Sequence, residues 1–255
     1  MLFNSVFNYT NIIAGTISII VTLIIFLKDF RSKINILFSA SLFFWGISLI
    51  FNGLTFLFQH PTRGAQTVRD FVVISSTIAA FLLFLSAIVI YEGEYILKKW
   101  FLIVPLTIFL FINSFVTSYF DKVVYDSPDE TVDIGNGIKT TQPVWVMIFL
   151  YVIPLLLIIK AIIYLILTKK ETRDPLIRSR MNYFIIGFSF IVLGAMVFSG
   201  SGIIEQLFIP LSTETELTIF FVAELFWILG PILMLVGINV KQIDENVSSK
   251  NVINE

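Results

Sequence analysis

LTIFFVAELFWILGPILMLVGINV, from Leu217 to Val240, runs for 24 residues with one ionisable side chain, Glu224. A helix crossing a hydrocarbon core about 30 Å thick needs about 20 predominantly apolar residues, so this stretch reads as a transmembrane helix. Working outward, six further apolar runs of similar length appear. They span roughly Tyr9 to Leu27, Ile34 to Phe58, Phe71 to Leu97, Trp100 to Phe120, Val144 to Leu167 and Tyr183 to Phe208. The predicted fold is therefore an all-α, integral-membrane seven-helix bundle over residues 1–240.

Composition excludes the alternatives. Of the 255 residues, 57% are hydrophobic and 14% charged, against roughly 45–50% and about 25% in soluble domains. A soluble chain would have to hide 27 Phe without the charged surface that keeps such a core in solution. The absence of Cys excludes disulfides, thiolate metal sites and a Cys nucleophile. A net charge of −1 argues against a nucleic-acid partner. His60 is the single His, no phosphate-binding Gly-rich loop or His-Glu-x-x-His pair occurs, and Ser199-Gly200-Ser201-Gly202 lacks the spacing of a nucleophile elbow. The expectation is no enzyme, no metal and no cofactor.

Seven spans place the two ends on opposite sides. Twelve Lys and Arg fall in one set of loops and four in the other, so the richer set is expected to face the cytoplasm, with the N-terminus outside, in a multi-pass protein of the cell membrane. Met1 to Asn11 lacks the basic region of a cleaved signal, which suits an uncleaved first helix. Asn8-Tyr9-Thr10 matches the N-glycosylation triplet. The outer loop, residues 121–142, alternates Val, Ile and Thr with polar residues around Gly135-Asn136-Gly137. It reads either as a hairpin lid or as a solvated acidic loop. The inner stretch Thr168 to Arg180 offers Lys169, Lys170, Arg173, Arg178 and Arg180 to anionic headgroups or to a cytoplasmic partner. Residues 241–255 read as a short cytoplasmic tail.

Ionisable groups in hydrocarbon are costly, about 2.5–3.5 kcal/mol at a helix centre, and so mark function. Glu224 is the deepest acid. At its depth helical projection gathers Asn52, Ser76, Asn113, Ser199 and Ser201, with Glu205 nearer the outer end, which suggests an outward-facing polar cavity with Glu224 at its floor. The other reading of the Ser residues is helix glue, since Ser75-x-x-x-Ala79 and Ala195-x-x-x-Ser199 have the small-xxx-small spacing. On the inner side Lys160 is expected either to pair with Glu92 or Glu94, as a latch or switch, or to snorkel to the interface. Pro105, Pro154 and Pro231 lie within helices and are expected to kink them.

The second half of the chain resembles the seven-helix membrane region at the N-terminus of prokaryotic sensor histidine kinases. The shared features are the hairpin-like loop before helix five, Pro143-Val144-Trp145, the basic loop ending Arg178-Ser179-Arg180-Met181-Asn182-Tyr183, and Phe184-Ile185-Ile186-Gly187 followed by Leu193-Gly194. The resemblance implies a membrane unit that senses a signal and passes it inward. About 15 residues follow helix seven, so output is expected either from a partner chain or not at all. Ile, Asn and Lys usage points to a prokaryotic source.

The leading reading is a receptor-like sensor that binds a small ligand or ion in an outer-half cavity and signals to a cytoplasmic protein. A secondary transporter or channel using Glu224 as a proton or cation site is the alternative, and a scaffold without ligand is the third. Expected partners are the lipid bilayer, a small ligand, a cytoplasmic signalling protein and a second copy of the chain.

Overall fold

The computed structural model describes residues 2–28, 30–58, 61–125, 138–141, 143–207 and 213–252, with backbone alone at 2–7, 199, 201–207 and 240–252 among others. Seven helices dominate it: α1 (Leu2–Lys28), α2 (Lys33–Thr55), α3 (Arg63–Glu92), α4 (Trp100–Phe120), α5 (Val144–Glu171), α6 (Pro175–Leu207) and α7 (Thr213–Val252). Each contains a stretch long and apolar enough to cross a membrane. Two short strands, β1 (Lys122–Tyr125) and β2 (Ile138–Thr141), pair antiparallel with Lys122 opposite Thr141. The expected Gly135-Asn136-Gly137 turn between them lies outside the described residues.

Helix ends follow local chemistry and revise several expected boundaries. α3 begins at Arg63 rather than Phe71 because Thr62 caps it, its Oγ1 accepting the Ala65 N–H at 3.2 Å. It ends at Glu92 because Gly93 adopts φ +96°, a conformation that L side chains rarely tolerate, and a 3₁₀ turn (Glu94–Lys98) follows. α6 begins at Pro175, with the Asp174 carboxylate accepting the Leu176 N–H at 2.8 Å. Arg178 and Arg180 therefore stand on a helix, and the inner connection shrinks to Thr172–Asp174. Residues 241–252 continue α7 as helix. Pro105, Pro154 and Pro231 all sit inside their helices.

The bundle is a ring of six helices with a seventh outside it. α1, α2, α3, α5, α6 and α7 pack each on the next, and α7 closes back on α1. α4 packs chiefly against α3 and α5, with Phe111 74% exposed. Two helix pairs approach closely through glycine. A Cβ on Gly15 would meet the Gly46 carbonyl oxygen at 2.5 Å, and one on Gly187 would meet that of Gly230 at 2.7 Å. Small residues let membrane helices make close van der Waals contact, which replaces the hydrophobic drive missing in lipid.

Along the ring axis the interior changes character. At the end opposite the hairpin, Ile25, Phe38, Leu42, Leu165, Phe188 and Met234 form a fully apolar core, with Phe38 edge-on to Phe184 and Phe188 at 5.1 and 5.7 Å. At the hairpin end the interior is polar.

Candidate functional site

A chain of buried polar side chains crosses the bundle at the hairpin end. Asp121, fully buried at the end of α4, accepts from Arg69 Nε at 2.6 Å. Arg69 Nη1 donates to Asn52 Oδ1 on α2 at 3.1 Å. Asn52 Nδ2 approaches Asn11 Oδ1 on α1 at 3.5 Å, and Asn11 Nδ2 donates to Glu224 Oε1 on α7 at 2.8 Å. Thr10 is a second hydrogen-bonding neighbour of that carboxyl. Five helices are thus linked by polar contacts in an interior where unpaired groups are costly.

The hairpin is tied to the same chain. Gln66 on α3 donates to the Asp121 carbonyl at 2.8 Å and to Asp70 at 2.9 Å, while its own carbonyl accepts the Val123 N–H of β1 at 3.0 Å. A displacement of the hairpin base therefore reaches Arg69 through one side chain.

Beside the chain lies a partly open cavity of about 150 Å³, lined by residues of α2, α3, α5, α6 and α7. Asn52 and Arg69 belong to both, standing in its wall and in the polar chain. Ser76 lines it too. Glu224 does not: it is 3% exposed and is connected to the cavity wall through Asn11 and Asn52. Asn113 also departs from the expected site. Because α4 stands outside the ring, Asn113 is buried away from the cavity, with its Nδ2 lacking a partner. Ser199, Ser201 and Glu205 are on α6, but their side chains lie outside the described residues.

Arg69, Asn11 and Asp121 were missed by sequence reasoning. Arg69-Asp70 looked like the loop edge before Phe71. The available signal was register: Ala65, Arg69 and Val73 are four residues apart on one buried face of α3. On α1 the buried Asn8, Asn11, Ser18 and Thr22 form a polar stripe at helical spacing. Asn8, the acceptor of the glycosylation triplet, is 3% exposed, while Tyr9 beside it is exposed.

The opposite end corrects the expected latch. Glu94 pairs with Lys33 at 2.7 Å and Glu92 faces Lys99 at 4.0 Å, while Lys160 is exposed on α5 and makes no ion pair among the described residues. Gly93 causes this by turning the chain after Glu92, which carries Glu94 toward α2. Lys33 and Glu94 are more than half exposed. Lys33→Ala is accordingly expected to change stability by less than about 1 kcal/mol, measured by reversible unfolding in mixed micelles. Of the basic residues expected to meet a partner, Lys170, Arg173 and Arg178 are exposed, Lys169 is half-buried, and Arg180 turns inward with its Nε buried.

The fold and site define a seven-helix bundle of membrane-crossing length with a polar chain at one end of a central cavity. No protein-family model and no curated protein matches the chain.

Proposed function

We propose that the protein is a receptor-like sensor of the cell membrane, with its N-terminus and hairpin outside, that holds a small molecule in the central cavity. The observation that carries this reading is the double membership of Asn52 and Arg69. An occupant pressing on either moves a hydrogen-bonded chain that ends on α1, α7 and the hairpin. Switching through such shifts needs an element with two arrangements, and a network of directional bonds between glycine-packed helices suits that role. The resemblance to histidine-kinase membrane regions supports the same direction of signalling, with Lys170, Arg173 and Arg178 offered to a cytoplasmic protein.

The test uses full-length protein in lipid nanodiscs with spin labels at Lys170 and Asn182, on exposed positions of α5 and α6. A cavity-binding compound is expected to change the distance between the labels, and Asn52→Leu is expected to abolish the change while leaving the fold intact by circular dichroism. Binding with no change in distance would sink the sensor reading.

One observation favours the transporter reading. Among the described residues no cation lies within ion-pair reach of Glu224, which leaves room for a proton or cation to act as its partner. Proton or sodium flux into proteoliposomes that disappears in Glu224→Gln would replace the sensor with a transporter.

A further inference from the structure

The cavity wall decides what it can hold. Its hydroxyls are committed elsewhere: Ser41 Oγ donates to the Ala79 carbonyl at 2.8 Å, Ser48 Oγ to that of Val72 at 3.2 Å, and Ser76 Oγ to that of Val73 at 3.0 Å, while the indole N–H groups of Trp45 and Trp227 make no hydrogen bond among the described residues. Among the described residues the one cation in the wall, Arg69, is already matched by Asp121 at 2.6 Å. The rest is aliphatic and aromatic, including Leu49, Val73, Leu83, Phe188 and Trp227. A charged guest would meet no uncompensated counter-charge there and would lose its hydration. An apolar cavity of about 150 Å³ takes a benzene-sized guest.

The route in is also in the wall. Met196 and Ala195 on α6 and Pro154 and Leu155 on α5 line the cavity, and Met196 is half exposed on the outer surface of the bundle. That surface faces hydrocarbon if the helices cross a bilayer, so the cavity is reached from the side, between α5 and α6.

We infer that the cavity binds an uncharged hydrocarbon group about the size of one aromatic ring, admitted from the bilayer through the α5–α6 cleft. This rests on the reading of the cavity as the sensing site. The same chemistry has two sources, a free lipophilic molecule or the end of a lipid acyl chain.

Trp45 and Trp227 line the cavity, with their rings edge-on at 5.9 Å, and report its contents. Trp100 and Trp145 are exposed and can be replaced by Phe to leave those two as the fluorophores. In nanodiscs of dioleoyl lipid, toluene is expected to change their emission saturably, with benzoate binding at least about tenfold more weakly because its charge must be desolvated. Ser76→Phe, which fills the cavity, is expected to weaken toluene binding about tenfold or more. Ala195→Phe, at the cleft, is expected to slow association with less effect on affinity. In lipid brominated near the chain end, quenching that toluene relieves identifies the acyl chain as the resident source. Saturable toluene binding without such quenching identifies a free molecule. Benzoate binding as tightly as toluene, or no saturable change with toluene in either the parent or Ala195→Phe, overturns the inference. Saturable toluene binding with no change in the Lys170–Asn182 distance upholds it and overturns the sensing reading alone.

Discussion

Arg69→Met is expected to destabilise the protein by about 3–5 kcal/mol, and Arg69→Met with Asp121→Leu to recover most of that loss. The asymmetry follows from where the two groups sit. The side chains of Arg69 and Asp121 are 7% and 0% exposed, joined at 2.6 Å. Removing the guanidinium leaves an enclosed carboxylate whose other oxygen, Oδ1, already lacks a hydrogen-bond partner among the described residues, whereas removing both charges also removes both desolvation costs. Arg69→Lys is expected to fall near the single loss, because an ammonium cannot reproduce the fork that engages Asp121 through Nε and Asn52 through Nη1. Reversible unfolding of the four-member cycle in mixed micelles measures this. Additive costs in the double variant would mean that the two side chains act independently and that the polar chain is not an energetic unit.

Gly46→Val and Gly187→Val are expected to destabilise the protein by about 3 kcal/mol, in contrast to Gly200→Ala, expected to be neutral or stabilising by up to about 1 kcal/mol. At Gly46 a Cβ would meet the Gly15 carbonyl oxygen at 2.7 Å, and at Gly187 that of Gly230 at 2.7 Å. Both obstacles are backbone on a facing helix, so neither can rotate aside, and relief requires separating α1 from α2 or α6 from α7. Overpacking typically costs about 1–3 kcal/mol, and these sites belong to the upper end because the whole helix pair must move. At Gly200 a Cβ meets nothing within 4 Å. The yield of monodisperse protein after detergent extraction, with thermal stability of what is recovered, checks the series; wild-type stability in Gly46→Val would rule out close glycine packing between α1 and α2.

How far the site was legible follows from particular residues. Glu224, Asn52 and Ser76 were singled out because polar groups in apolar runs are conspicuous whatever surrounds them. Asn113 was conspicuous for the same reason, yet depth alone could not tell that α4 stands outside the ring. Arg69 and Asp121 were invisible as a pair because each, taken with its neighbours, resembles a loop: Arg69-Asp70 before Phe71, and Asp121-Lys122 after Phe120. Only their mutual neutralisation lets the first lie inside a helix and the second be fully buried. Lys160 illustrates the reverse error. Shared depth with Glu92 and Glu94 made a pair conceivable, but the turn at Gly93 directs those carboxylates elsewhere.

Seven helices of membrane-crossing length and their order along the chain were legible in the residues alone, while the segment between the fourth and fifth left a hairpin and a solvated loop both open. These are local properties: hydrocarbon admits a spanning segment only if its backbone bonds are satisfied within it, and length and apolarity are read directly from the residues. The order of the ring, the exclusion of α4, the location of the cavity and the pairing along the chain from Asp121 to Glu224 were settled only by the packing of the helices. The physical reason is that a Leu or Phe facing lipid and one facing another helix have nearly the same environment, so apolar patterning carries little record of which faces meet.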